Sequence, residues 1–122
     1  MKLKTSTMTD HALDWAVATA EGYRFEVITH EGKPRVVNLD LGWFVEAGES
    51  WAQGGPIIER EKIAVAYQTK DDGWEVPNWA AWMSLVEDRQ MVMGETALIA
   101  AMRCYVASKI GDEVEIPDEL IT

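Results

Sequence analysis

The chain holds one cysteine and two histidines, and no apolar run in it reaches the ~18 residues that a membrane span needs. Cys104 therefore has no internal disulfide partner, and its strongly apolar neighbourhood is one where a thiol serves as a small core residue; a reducing compartment is expected. The opening Met1-Lys2-Leu3-Lys4-Thr5-Ser6 is not followed by the apolar segment of a secretory signal, so the cytosol is the expected location. With no pair of cysteines, no His-Glu-x-x-His and no glycine-rich phosphate loop, the usual metal and nucleophile chemistries have no visible carrier, and no cofactor is expected. Carboxylates are plentiful, but their very abundance makes any chosen pair uninformative. Basic residues are scarce: 11 against 21 acidic ones leave a net charge of -10, which repels a phosphate backbone unless the cations gather on one face. They do not cluster in sequence. The acidity reads as solubility, with a decoy surface mimicking nucleic acid as the sharper alternative; the carboxylate runs are too short to favour the decoy.

What remains is ordinary for a folded protein. At 122 residues with 48% apolar and 26% charged side chains, residues 1 to 122 are expected to form a single domain with its own core. Leu13, Ala16, Val17 and Ala20 repeat at helical spacing behind Thr9 and Asp10, and Gly22 supplies a stop, predicting a helix over residues 10 to 21. Alternation from Tyr23 to His30, turn chemistry at Glu31-Gly32-Lys33-Pro34 and an apolar stretch from Arg35 to Leu39 predict a hairpin. Residues 40 to 62 show no clean period and carry Gly42, Gly48, Gly54, Gly55 and Pro56, so they read as a long loop of the kind that often holds function. Further strands are expected from Ile63 to Thr69 and from Trp79 to Leu85, with a turn at Asp72-Gly73 and, because of Pro77, at best an edge segment from Trp74 to Val76. The clearest element runs from Ala97 to about Ile110, capped by Thr96 and stopped by Gly111; apolar residues cover nearly its whole circumference, which predicts a central helix. A short strand from Val114 to Ile116 and a turn at Pro117-Asp118-Glu119-Leu120 close the chain.

Arg103 lies in the middle of that apolar helix, where an unpaired guanidinium is costly to bury. Asp14, set between Leu13 and Trp15, is the best candidate partner for a buried bridge between the two helices; an anion-binding arginine and a snorkelling one are the alternatives. The segment from Trp51 to Ile58 combines a large aromatic, the amide of Gln53 and the flexible Gly54-Gly55 pair. It is either a packed turn whose Trp51 plugs the core or a contact for a ligand or partner. Of six tryptophans, most should be core, while Trp43 and Trp74 fall where an exposed aromatic patch is possible.

Trp51-Ala52-Gln53-Gly54-Gly55-Pro56-Ile57-Ile58-Glu59-Arg60-Glu61 and Leu98-Ile99-Ala100-Ala101-Met102-Arg103-Cys104-Tyr105-Val106-Ala107-Ser108, together with Ala12 to Ala18 and Gly111 to Pro117, resemble a family of uncharacterised phage and prophage proteins that includes those called NinX. The resemblance covers most of the chain and is loose from about Tyr23 to Gly48 and Gln68 to Gly94. Members commonly carry proline after the threonine that opens the last helix, where this chain has Ala97; either suits a first helical turn. It implies an intracellular accessory protein of a tailed phage or prophage and adds no catalytic residue.

The expected architecture is α+β, about four strands in a mixed or antiparallel sheet packed by two helices, or else a three-layer α/β/α sandwich. The leading functional expectation is a non-enzymatic domain that binds a host or phage protein through Trp51, Gln53, Gly54, Gly55 and Arg60. Its rival is a small-ligand or enzyme pocket between residues 40 to 62 and the first helix, formed by Trp15, Trp51 and Arg103 near Asp14.

Overall fold

The computed structural model describes residues 1–69, 71, 73, 78–87 and 90–121. Among them the order is β1 (Lys2–Lys4), α1 (Asp10–Glu21), β2 (Phe25–His30), β3 (Lys33–Asn38), β4 (Trp43–Phe44), α2 (Trp51–Glu61), β5 (Ile63–Gln68), β6 (Asn78–Met83), β7 (Val92–Gly94), α3 (Ala97–Lys109) and β8 (Glu113–Glu115). A 3-10 turn at Thr5–Thr7 follows β1, and another at Asp118–Leu120 follows β8. The class is α+β, as expected. The single sheet of about four strands is instead divided into three small antiparallel sheets, β1-β8, β2-β3-β4 and β5-β6-β7, packed by three helices. The division separates the hairpin from the later strands because α1 and α3 touch each other directly between them, which also sets aside the three-layer alternative.

Both expected helices form where their signals lie. α1 ends on Gly22, whose φ of 75° is the left-handed geometry that lets its N–H reach the Ala18 and Thr19 carbonyls. In α3 the Thr96 hydroxyl accepts from the Ile99 N–H at 3.1 Å, and Leu98 and every residue from Ala100 to Val106 are buried. α3 lies against β5, β6 and β7 on one side and α1 and α2 on others, so it is the central helix that its all-round apolar character predicts. The hairpin pairs Phe25 with Asn38 through His30 with Lys33. The edge segment Trp74 to Val76, and Asp72 of the expected turn, lie outside the described residues.

Residues 51 to 61 correct the sequence reading: what reads as loop is the helix α2. Gly54, Gly55 and Pro56 are all poor helix formers, so propensity opposes this helix and packing carries it. Gly54 shows why. An added Cβ there would stand 2.5 Å from the Ala47 carbonyl oxygen and 2.6 Å from Leu98 Cδ2, so only glycine lets α2 approach both the preceding segment and α3 this closely. At Gly55 the same atom meets nothing nearer than Trp51 Cε3 at 4.0 Å. Gly54→Ala is therefore expected to lower stability by about 1–3 kcal/mol, whereas Gly55→Ala should be neutral or stabilising by up to ~1 kcal/mol; paired urea unfolding curves check the contrast.

Candidate functional site

Arg103 does not bridge to Asp14. Its Nε donates to the Met8 carbonyl at 2.8 Å and Nη1 to the Met93 carbonyl at 2.9 Å, with the residue only 7% exposed. Burial draws the guanidinium below its ordinary value, the Glu95 carboxylate opposing. The predicted compensation is present, but backbone oxygens provide it, and their effect is to tie the segment before α1 and the strand β7 to the central helix.

Arg60 is equally structural. It pairs with Glu21 at the end of α1 and with Glu61 at 2.8 Å, and its Nη2 donates to the Tyr105 hydroxyl of α3 at 3.3 Å. One side chain thus joins three helices, and these partners hold its proton more tightly than usual. Gln53 works as a brace: its Nε2 donates to the Phe44 carbonyl at 2.8 Å, and its Oε1 accepts from the Glu46 N–H at 2.7 Å. The amide side chain therefore supplies strand-like bonds that hold β4 and the following residues against α2.

The tryptophans divide partly as expected: Trp43 is exposed, as its place in the sequence suggested, and Trp51 is not the core plug that one reading of its segment foresaw. Trp15 packs edge-on to Phe25 at 5.9 Å and belongs to the interior between α1 and the hairpin. Trp51 is 60% exposed and does not plug the core; Trp43 is 44% exposed.

Asp14 is where the chemistry concentrates. Its side chain is 9% exposed and makes no hydrogen bond among the described residues; His11 Nδ1, one turn back on α1, stands 3.9 Å away. His11 Nδ1 is itself buried with no hydrogen-bond partner. Burial, then the neighbouring Glu49, push the Asp14 carboxyl up to about 8, with Glu46 and Asp10 adding and Arg35 opposing. The group faces a polar cleft of about 410 Å³ whose walls are Asp10 and His11 of α1, His30, Glu31, Lys33 and Arg35 of the hairpin, and Glu46 and Glu49 beyond β4. Arg35 is spoken for: its guanidinium pairs with Glu46 and lies 4.0 Å from the centre of the Phe44 ring. The Gln53 brace fixes both Phe44 and Glu46, so one of the sequence-predicted residues shapes the cleft from behind. Asp10, at the rim, has a φ of 50°, a left-handed geometry that aspartate tolerates better than most residues.

Beside the cleft lie a small pocket of about 20 Å³ between Asp10, Leu13, Asp14, Gly48, Glu49 and Ile99, and an open groove of about 330 Å³ formed by Gly48, Glu49, Trp51 and residues 96–99; Glu49 lines all three. The structure thus places Asp14 and Trp51 in two neighbouring depressions that share Glu49 as a wall, and Trp15, Gln53, Gly54, Arg60 and Arg103 in packing or bracing contacts around them. Gly55 lies beside Trp51. His11, His30, Arg35, Glu46 and Glu49 were not singled out from the sequence. Only the His11 to Asp14 spacing of three residues carried a signal, since it puts both on one helical face.

Among the described residues no group of three or more histidine, cysteine or acidic side chains is placed to hold a metal ion, and no helix is long and apolar enough to cross a membrane. No curated protein matches the chain. The family model described as Bacteriophage P22, NinX matches residues 4–109, and on that match the chain belongs to the NinX family of bacteriophage proteins.

Proposed function

We propose that the chain is a single-domain, non-enzymatic accessory protein of the phage, working in the host cytoplasm by binding another protein over the surface from the Asp14 cleft to the neighbouring Trp51 groove. The observation that supports this reading most is Asp14 itself, a carboxyl buried without a hydrogen bond at the floor of an open cleft. Such a group costs stability in the free protein, and perturbed, poorly satisfied groups in clefts are where function concentrates. Trp51 at the other end offers the large, exposed, amphipathic side chain typical of binding anchors.

A nucleic-acid mimic fits less well. Glu21, Glu46, Glu61 and Asp40 are engaged with Arg60, Arg35, Lys109 and Arg24, which leaves these carboxylates poorly suited to act as a free phosphate-like stripe. The small-ligand reading keeps one specific observation in its favour, a polar cleft of about 410 Å³, whose walls include Asp14 but neither Trp15, Trp51 nor Arg103.

The test uses photo-crosslinking in phage-infected cells, with p-benzoylphenylalanine placed at Trp51, at Glu49, or at the exposed Glu119 as control. Positions 51 and 49 are expected to give the same discrete protein adduct and position 119 none. Adducts from no position, or equally from all three, would reject the reading.

A further inference from the structure

We infer that the cleft is a receptor for one protonated amino or guanidino group, carried by a lysine or arginine of the protein partner, which enters beside Glu49 and pairs with the Asp14 carboxylate. This rests on the protein-binding reading above and names the chemistry that the partner must bring.

The sign of the ligand follows from what faces Asp14. On α1 these groups are Asp10 and His11; from the hairpin come His30, Glu31, Lys33 and Arg35; from the segment before α2, Glu46 and Glu49. Arg35 and Glu46 satisfy each other, which leaves Asp10, Glu31 and Glu49 against Lys33. An anion entering here meets uncompensated carboxylates, whereas a cation meets partners for every donor it brings. The shape agrees: the cleft has room for a side-chain head group, and the neighbouring Trp51 groove, which shares Glu49 as a wall, offers a surface for adjoining residues of the partner.

Proton accounting then sets the behaviour. In the free protein at neutral pH the Asp14 carboxyl keeps its proton because burial and Glu49 disfavour the anion. When the cation arrives, the Asp14 O–H bond breaks, the proton leaves to solvent, and the carboxylate pairs with the incoming ammonium or guanidinium. One proton released per cation bound means that affinity rises about tenfold per pH unit between roughly 6 and 7.5.

Titration calorimetry of the whole chain tests this, in buffers of different ionisation enthalpy, with N-acetyl-arginine amide and N-acetyl-lysine amide as probes, N-acetyl-glutamine amide as the neutral control and putrescine as a free diamine. The expected result is millimolar binding of the two cationic amides with close to one proton released at pH 7, no binding of the neutral amide, and at least tenfold weaker cation binding by Asp14→Asn. Glu49→Gln, which retains the buried carboxyl, should weaken binding several-fold and keep only the part of the proton release that burial alone sets. Binding of putrescine but not of the blocked amino acids would overturn the polypeptide source. Proton release that persists in Asp14→Asn would assign the titration to a histidine and overturn the role of Asp14. Absence of all cation binding, alongside intact crosslinks from positions 49 and 51, would overturn the inference while leaving the protein-binding reading in place.

Discussion

Asp14→Asn is expected to stabilise the free protein at neutral pH by several kcal/mol and to remove a pH dependence of stability that is expected of the parent chain. Asp14 has an ordinary value of 3.8 when unfolded and about 8 when folded. Below the lower value the carboxyl is protonated in both states and contributes no difference. Between the two, the unfolded chain releases its proton while the folded chain retains it, so the unfolded state binds fewer protons and stability falls as pH rises. Above about 8 both forms are ionised and the loss is complete. Roughly four pH units at 1.36 kcal/mol each make this a contribution on the order of 5 kcal/mol. Urea unfolding of parent and variant at pH 5, 7 and 9 should give curves that diverge steadily with pH; parallel curves would contradict the burial of an uncompensated carboxyl. Against the ~5–15 kcal/mol total of a typical domain, the cost is large.

Gly94→Ala is expected to cost more than about 3 kcal/mol and to lower the melting temperature by on the order of 10 °C. A Cβ at this position would lie 2.5 Å from the Ala100 nitrogen and 2.8 Å from its Cα, both backbone atoms of α3 that no rotamer change can move. Nor can β7 simply retreat. Arg103 donates to the Met93 carbonyl next door at 2.9 Å, and β7 is paired to β6 through Trp79 and Gly94. Strand and helix must therefore part, breaking a charge-assisted bond and opening the core. Thermal unfolding followed by circular dichroism measures the shift, and a loss below 1 kcal/mol would mean that β7 packs less closely than described.

The parts of this fold that could be read in advance are those where local chemistry and tertiary packing agree. Thr96, Gly22 and the apolar periods of α1 and α3 each say in sequence what they do in space, and the hairpin around Gly32 is of the same kind. α2 is the opposite case, because Gly54 is there for a neighbouring carbonyl and a distant leucine that no local window contains. β1, β4 and β7 are too short for alternation to register. Asp14 and Arg103 were each recognised as out of place among apolar neighbours, and each is indeed buried. Their pairing failed because Arg103 finds main-chain oxygens, which every residue carries and which no side-chain pattern reveals. The cleft draws on a helix start, a hairpin tip and a connection, and that assembly exists only after folding.

The pairing of β1 with β8 joins Lys2, Leu3 and Lys4 to Glu115, Val114 and Glu113, and Thr5 adds bonds to Gly111 and Asp112. The Thr5 bond to Gly111 spans 106 residues of chain, a far longer closure than either hairpin requires. The Met8 carbonyl that Arg103 requires belongs to the same stretch. Contacts of such long separation close late, so β1 and the stretch before α1 are expected to be among the last parts of the fold to settle.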